Sequence, residues 1–325
     1  MSSMSCKECK IDIAVCLDKG FVMPTGVMMY SVCVNNQDVD IDFHVLIDES
    51  VTDEDQQDLK DIANKFSGKK VHYYTIERQS SISFPLKLNH VTQSTYYRLF
   101  LSDILPSTIE KVLYLDGDLI VRHSLLPLWH TDINDYAVGA AKDVVDRDVS
   151  IYNRLSYPQE KGYFNAGVLL INLKYWRDND ITKDCIRYIH DYPDRILYVD
   201  QDVLNVVLQD KKLIIPIKYN IQAGFLKKFP FCDKWENDPE VNIGMKDPVI
   251  VHFTERWKPW YIDLPFFHPY RSTFLKYQSQ TKWKNYFYDR RSLYLKMRNG
   301  IGDILRKMGI KKQKSTRFLN IPPID

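Results

Sequence analysis

Residues 111–121 read KVLYLDGDLIV. An apolar run of strand length stops at Asp116 and Asp118, one glycine apart, and resumes as Leu119, Ile120 and Val121. In extended chain, residues spaced i, i+2 point to the same side, so two carboxylates meet there. That pairing is unfavourable unless a cation or hydrogen-bond donors satisfy it. A hard divalent metal is the natural partner, and Gly117 allows a turn and a close approach of ligand to backbone. The competing reading is a solvated turn between two strands.

Upstream, strand-like and helix-like periodicities alternate. IDIAVCLD (11–18) reads as a strand, PTGVMMYSVCVNN (24–36) as a helix opened by Pro24, and DFHVLIDES (42–50) as a strand. TDEDQQDLKDIANKFSG (52–68) begins with a Thr52 cap and an acidic first turn. It places Leu59, Ile62, Ala63 and Phe66 on one face and ends at Gly68. KVHYYTIE (70–77) is the next strand, TQSTYYRLFLSDIL (92–105) a helix stopped by Pro106, and KVLYLDGDLIV the fourth strand. This order predicts an α/β, Rossmann-like, doubly wound, mostly parallel sheet, whose ligands bind beyond the carboxyl ends of the strands. Downstream, YFNAGVLLINL (163–173) reads as a strand followed by helix to about Tyr192, DQDVLNVVL (200–208) as a short helix, and IVHFTERWKPW (250–260) as a strand and loop.

The chain of 325 residues, 45% of them apolar, is ample for a packed core. No stretch approaches the 18 uninterrupted apolar residues of a membrane span, and MSSMSCKECKIDIAV lacks the apolar centre of a signal peptide, so a cytoplasmic location is expected. Six scattered cysteines in such a chain predict reduced thiols; Cys6 and Cys9 form a CxxC with no second pair at zinc-site spacing. The net charge of +2 conceals an asymmetry: residues 271–325 carry 14 Lys and Arg against 3 Asp and Glu, leaving 30 against 39 for residues 1–270. The expected division is a catalytic domain at 11–265 and a basic, aromatic-rich C-terminal segment at 266–325.

Two chemistries use an aspartate pair after an apolar strand. In phosphatases of the haloacid dehalogenase type the first aspartate is a nucleophile. In nucleotide-sugar transferases both serve a metal and its diphosphate. The phosphatase motif usually sits on the first strand, whereas about a hundred residues precede Asp116, which favours the transferase. A third reading is an inactive paralogue that binds nucleotide or membrane without turnover.

The blocks IDIAVCLD, FHVLID, STYYRLFLSDILP, KVLYLDGDLIV, LPLWHTD, VGAAKD, YFNAGVLLINLKYWR, DQDVLN and HFTERWKPW, in that order, resemble the retaining glycosyltransferases of family 8, the group of bacterial lipopolysaccharide galactosyl- and glucosyltransferases and glycogenin. The resemblance implies a GT-A fold and transfer of glucose or galactose from a UDP-sugar to a glycan or glycolipid acceptor, with Mn²⁺ as the usual metal and Mg²⁺ the alternative. It implies Asp116, Asp118 and His252 as metal ligands, Lys258 as a diphosphate contact, and Asp18 as a uracil or ribose contact. For the donor sugar it implies Arg98, Asp143, Asn165, Asp200 and Gln201. Gln201 and Asp200 stand at the catalytic position; because an amide is a poor nucleophile, same-face substitution is expected rather than a covalent intermediate. Two positions depart from relatives: Glu255 stands where several have glycine, and Gly20 where some have asparagine. Trp176, Trp257, Trp260 and the tyrosine-rich helix are expected to be packing.

In the tail, KWKNYFYDRRSLYLKMR and ILRKMGIKKQK interleave bases with aromatics, as suits an anionic membrane surface, with each base contributing about 1 kcal/mol. Peripheral association with the inner face of the cell membrane is therefore expected. Nucleic acid is not, since no recognition module accompanies the charge.

Overall fold

The computed structural model describes residues 10–76, 84–86, 93–227, 235, 237–254, 258–262 and 268–289. In chain order the elements are β1 (Lys10–Leu17), α1 (Val22–Asn35), β2 (Asp40–Ile47), α2 (Asp53–Ala63), β3 (Lys69–Thr75), α3 (Leu101–Ile104), β4 (Lys111–Leu115), β5 (Leu119–Val121), α4 (Leu126–Trp129) and β6 (Val138–Lys142). There follow α5 (Val149–Leu155), β7 (Phe164–Asn172), α6 (Leu173–Asp178), α7 (Ile181–Asp191), α8 (Val199–Val207), β8 (Lys212–Ile214), β9 (Ile221–Gln222), α9 (Pro239–Lys246), β10 (Ile250–His252) and α10 (Arg271–Gln278).

Seven strands form one sheet in the order β3-β2-β1-β4-β7-β6-β8. Among them β7 runs against the rest, and the other neighbouring pairs are parallel. Both faces are covered. On one, Met28, Met29 and Val32 of α1 and Leu59 and Ile62 of α2 pack on Ile13, Val15, Phe43 and Leu113. On the other, Tyr96, Tyr97, Trp176 and the apolar residues of α7 and α8 pack on Ala14, Tyr114, Leu169 and Ile171. The expected α/β sheet is present, and α2 carries its Thr52–Asp55 capping box.

The structure redraws three expectations. KVLYLDGDLIV is not one strand: β4 ends at Leu115, the chain turns through Asp116–Asp118, and β5 joins a second sheet of order β5-β10-β9. Gly117 is required there because a Cβ would lie 2.4 Å from the Thr25 hydroxyl of α1. The tyrosine-rich segment is a 3-10 helix over Gln93–Phe100 that becomes α-helical only at Leu101. Within this segment Arg98 Nε donates to the Thr95 carbonyl. The helix after β7 is divided between α6 and α7, with Asp180 left-handed at φ 51°.

Described residues beyond position 265 pack on the body. α10 buries Phe274 in a third core with Ile120, Val251, Phe253 and Trp260. The Tyr277 hydroxyl accepts from Asn35 of α1, and Lys282 pairs with Asp58 of α2. The expected tail thus joins the body as far as residue 289, and its remainder lies outside the described residues, as do Cys6, Cys9, Cys232, Glu255 and Trp257. Cys16, Cys33 and Cys185 are free and buried. No helix among the described residues is long and apolar enough to cross a membrane.

Candidate active site

Parallel strands end together, and here they end in carboxylates: Asp18 follows β1, Asp48 follows β2, Asp116 follows β4 and Asp143 follows β6. The antiparallel β7 enters at the same edge, where Lys142 faces Phe164 and Leu115 faces Val168. Asn165 is therefore set among the strand ends, and the amide of Asp116 donates to the Gly167 carbonyl.

The second sheet brings the histidine. β5 pairs antiparallel with β10 so that Leu119 faces His252, and Phe253 N donates to the Asp118 carbonyl. His252 Nε2 then lies 3.1 Å from Asp118 Oδ1 and 3.5 Å from Asp116 Oδ2. One ligand atom from each of the three residues lies within 4.8 Å of the others. Gly167 forms the floor: a Cβ there would sit 2.0 Å from His252 Cε1 and 2.7 Å from Asp116 Oδ2. Two carboxylates and an imidazole over a backbone floor suit a divalent ion such as Mn²⁺ or Mg²⁺, leaving further positions for ligand oxygens. The turn is thus not the solvated one: Asp118 is buried.

Lys258 Nζ donates to Asp118 Oδ2 at 2.5 Å and to the Phe253 carbonyl at 2.6 Å. Burial works against ionisation of Asp118, but Lys258 and His252 reverse the balance and hold its carboxyl well below the usual range. Asp116 Oδ1 accepts from Arg98 Nη2 at 2.9 Å and from the Tyr114 hydroxyl at 2.8 Å.

Arg98 is fully enclosed, with Nη1 on the Ala166 carbonyl and its guanidinium 4.3 Å from the centre of the Tyr114 ring. Its Nε lies 3.1 Å from Asp200 Oδ2, yet that oxygen has no hydrogen-bond partner, because the Nε proton serves Thr95. Burial accordingly pushes the Asp200 carboxyl up to about 7, with Arg98 opposing and Asp116 reinforcing the shift. Val199, immediately before it, is held at φ 44°, a strained conformation for a β-branched residue.

Gln201, Asn165 and Asp143 form an amide–carboxylate cluster. Asn165 and Gln201 donate to Asp143 Oδ2 at 2.8 and 3.1 Å, and Gln201 Oε1 accepts from Ala166 N and Asn165 Nδ2. Burial raises the Asp143 carboxyl, against the hydrogen bonds from Asn165, Val145 N and Gln201. Asp18 caps the short 3-10 turn after β1 by accepting from Gly20 N at 2.9 Å, and Ser94 donates to its other oxygen at 3.2 Å.

A family model described as glycosyl transferase family 8 matches residues 12–263. The chain belongs to glycosyltransferase family 8. The chain is 28% identical to general stress protein A of Bacillus subtilis, over 83% of this chain and 94% of that protein. It is 30% identical to a lipopolysaccharide 1,3-galactosyltransferase of Salmonella typhimurium over 85% and 80%, and 27% identical to a lipopolysaccharide 1,2-glucosyltransferase of Escherichia coli over 80% and 75%. A crystal structure of the galactosyltransferase LgtC with donor and acceptor sugar analogues superposes with a TM-score of 0.73 at 28% identity, covering 85% of this chain and 99% of that one. The fold is the GT-A type expected, and the family 8 glycosyltransferase assignment displaces the phosphatase reading.

Asp116, Asp118, His252, Lys258, Arg98, Asp200, Gln201, Asn165 and Asp143, all expected from the sequence, meet in one connected cluster. Tyr114 and Asn220, which hold Asp116 and His252, were not expected from the sequence. Nothing local in the sequence marks Asn220. Trp176, Trp260, Tyr96 and Tyr97 are buried packing residues, as expected.

Proposed function

We propose that the protein is a metal-dependent, retaining hexosyltransferase that moves glucose or galactose from a UDP-sugar to a cell-surface glycan or glycolipid. The observation that carries this reading is the Asp116–Asp118–His252 triad at the carboxyl edge of the sheet, with Asp118 and His252 buried, Asp116 half-buried and Lys258 beside it. The lipopolysaccharide transferases among the relatives support the acceptor class.

A divalent ion in this triad would supply positive charge to the diphosphate as it departs. Asp116, Asp118 and His252 would hold it, Mn²⁺ or Mg²⁺ by their chemistry. Lys258 carries a second charge on a flexible stem and turns from Asp118 to a phosphate oxygen. Asp18 takes the base or ribose at the end of β1, where a carboxylate accepts from N–H or O–H.

Arg98, Asp143, Asn165, Asp200 and Gln201 bind the sugar hydroxyls with fixed donors and acceptors. Gln201 Oε1 already accepts two hydrogen bonds, which lowers its nucleophilicity further and supports same-face attack by the acceptor hydroxyl over a covalent intermediate. The basic tail holds the enzyme to the anionic inner face of the cell membrane, near a lipid-linked acceptor. Exposed Tyr286, Phe287 and Tyr288 stand where the described chain leads into it.

The test is to incubate the protein with Mn²⁺ and UDP-glucose or UDP-galactose and follow the released sugar by proton NMR. The α-anomer should appear first and depend on Asp118. Initial β-anomer would refute retention, and consumption of neither donor would refute the hexosyl donor class.

A further inference from the structure

The His252 side chain has a second nitrogen, and its surroundings form a chain of amides whose orientation can be read from one fixed donor. The backbone N–H of Gly167 donates to the side chain of Asn165 at 3.0 Å. A main-chain N–H can only donate, so the Asn165 atom it meets is the oxygen. That same oxygen is contacted at 2.8 Å by the amide of Asn220, so Asn220 presents its NH₂ there. The other end of the Asn220 amide, its oxygen, then faces His252 Nδ1 at 3.0 Å. Asn165 is consistent at its own far end, where its NH₂ meets the Asp143 carboxylate.

An oxygen at Nδ1 requires a proton on Nδ1. An imidazole that ligates through one nitrogen carries its proton on the other, so the ligating atom is Nε2, the nitrogen that faces Asp116 and Asp118. Resting on the metal-site reading above, we propose that Asn220 is the positioning residue that commits His252 to ligation through Nε2 and fixes the plane of its ring.

The fold supports this assignment independently of the amide chain. Asn220 is fully buried and ends the 3-10 turn Ile217–Tyr219. It immediately precedes β9, whose parallel register with β10 sets Gln222 beside His252 and Ile221 beside Val251. Gln222 in turn holds the segment carrying Asp143, accepting from Val144 N and donating to the Lys142 carbonyl. The His252 ring also rests against the Gly167 backbone, so ring plane and nitrogen identity are set by different neighbours.

The experiment titrates the full-length protein with Mn²⁺ alone, counting free ion by electron paramagnetic resonance, in wild type, Asn220→Asp and Asn220→Leu. Both variants lose the bond donated to Asn165, and only Asn220→Asp keeps an acceptor for Nδ1–H. Asn220→Leu should bind Mn²⁺ about 10- to 100-fold more weakly, and Asn220→Asp within about threefold of wild type. Unchanged affinity in Asn220→Leu, or equal weakening of both variants, would overturn the assignment. Should a variant not fold, wild type labelled with ¹⁵N-histidine and loaded with diamagnetic Zn²⁺ gives the answer directly. The His252 signal, identified by its loss in His252→Gln, should show the proton on Nδ1; a proton on Nε2 would overturn the proposal. Failure of wild type to bind Mn²⁺ at all would overturn the metal site itself and this inference with it.

Discussion

Asp200 is the residue on which burial, charge and pH meet. Its folded value of about 7 stands above the ordinary 3.8 because burial penalises the charged form, so the native state holds this proton more tightly than the unfolded chain. That contribution is complete below pH 3.8 and is lost as pH rises through 7, a change on the order of 4 kcal/mol. Melting temperature should therefore fall between pH 5 and 8 in wild type and fall less in Asp200→Asn. Parallel curves for the two proteins would show that the carboxyl is already ionised at pH 5. Asp118 has the opposite bias, because Lys258 and His252 hold it ionised. Two aspartates of one site are thus separated by their neighbours: one faces two basic side chains, the other lies near a guanidinium whose hydrogen bonds go elsewhere.

At the scale of elements, the site depends on how closely β7 passes beneath β10. Gly167 is the contact, and Gly167→Ala would drive a Cβ into the His252 ring and the Asp116 carboxylate. Overpacking of this kind costs about 1–3 kcal/mol. The variant should melt lower and lose Mn²⁺ binding while keeping its circular dichroism; retained binding would mean that the floor can give way.

This is also where legibility in the sequence ran out. The apolar alternation of residues 11–121 is local, and it specified the parallel βαβ frame and its carboxyl edge. The splitting of KVLYLDGDLIV between two sheets depends on pairing with β10, more than 125 residues later in the chain, which no local pattern encodes. The same holds for Asn220, whose role comes from the register of β9 against β10. The resemblance pointed to Arg98, but periodicity does not separate the 3-10 geometry of its segment from an α-helix.

For the whole molecule, packing continues past residue 271, where the charge asymmetry begins, because α10 belongs to the third core. Phe274 is fully buried, and Phe274→Ala should cost about 3–5 kcal/mol, measured by urea denaturation. A cost below 1 kcal/mol would show that α10 is not docked in solution. A chain ended after residue 289 keeps the described contacts of α10 and Trp283. It should release from vesicles of anionic lipid that retain the full chain, since each base lost removes about 1 kcal/mol. Equal vesicle binding by both would assign the membrane contact to the body instead.

The metal-diphosphate site is tested most directly by the melting temperature with UDP alone, Mn²⁺ alone, and both together. A ligand at about 100 times its dissociation constant adds about 2.7 kcal/mol of apparent stability. The combination should stabilise wild type beyond the sum of its parts and leave Asp118→Asn unmoved. The same shift in Asp118→Asn, or none in wild type, would contradict it.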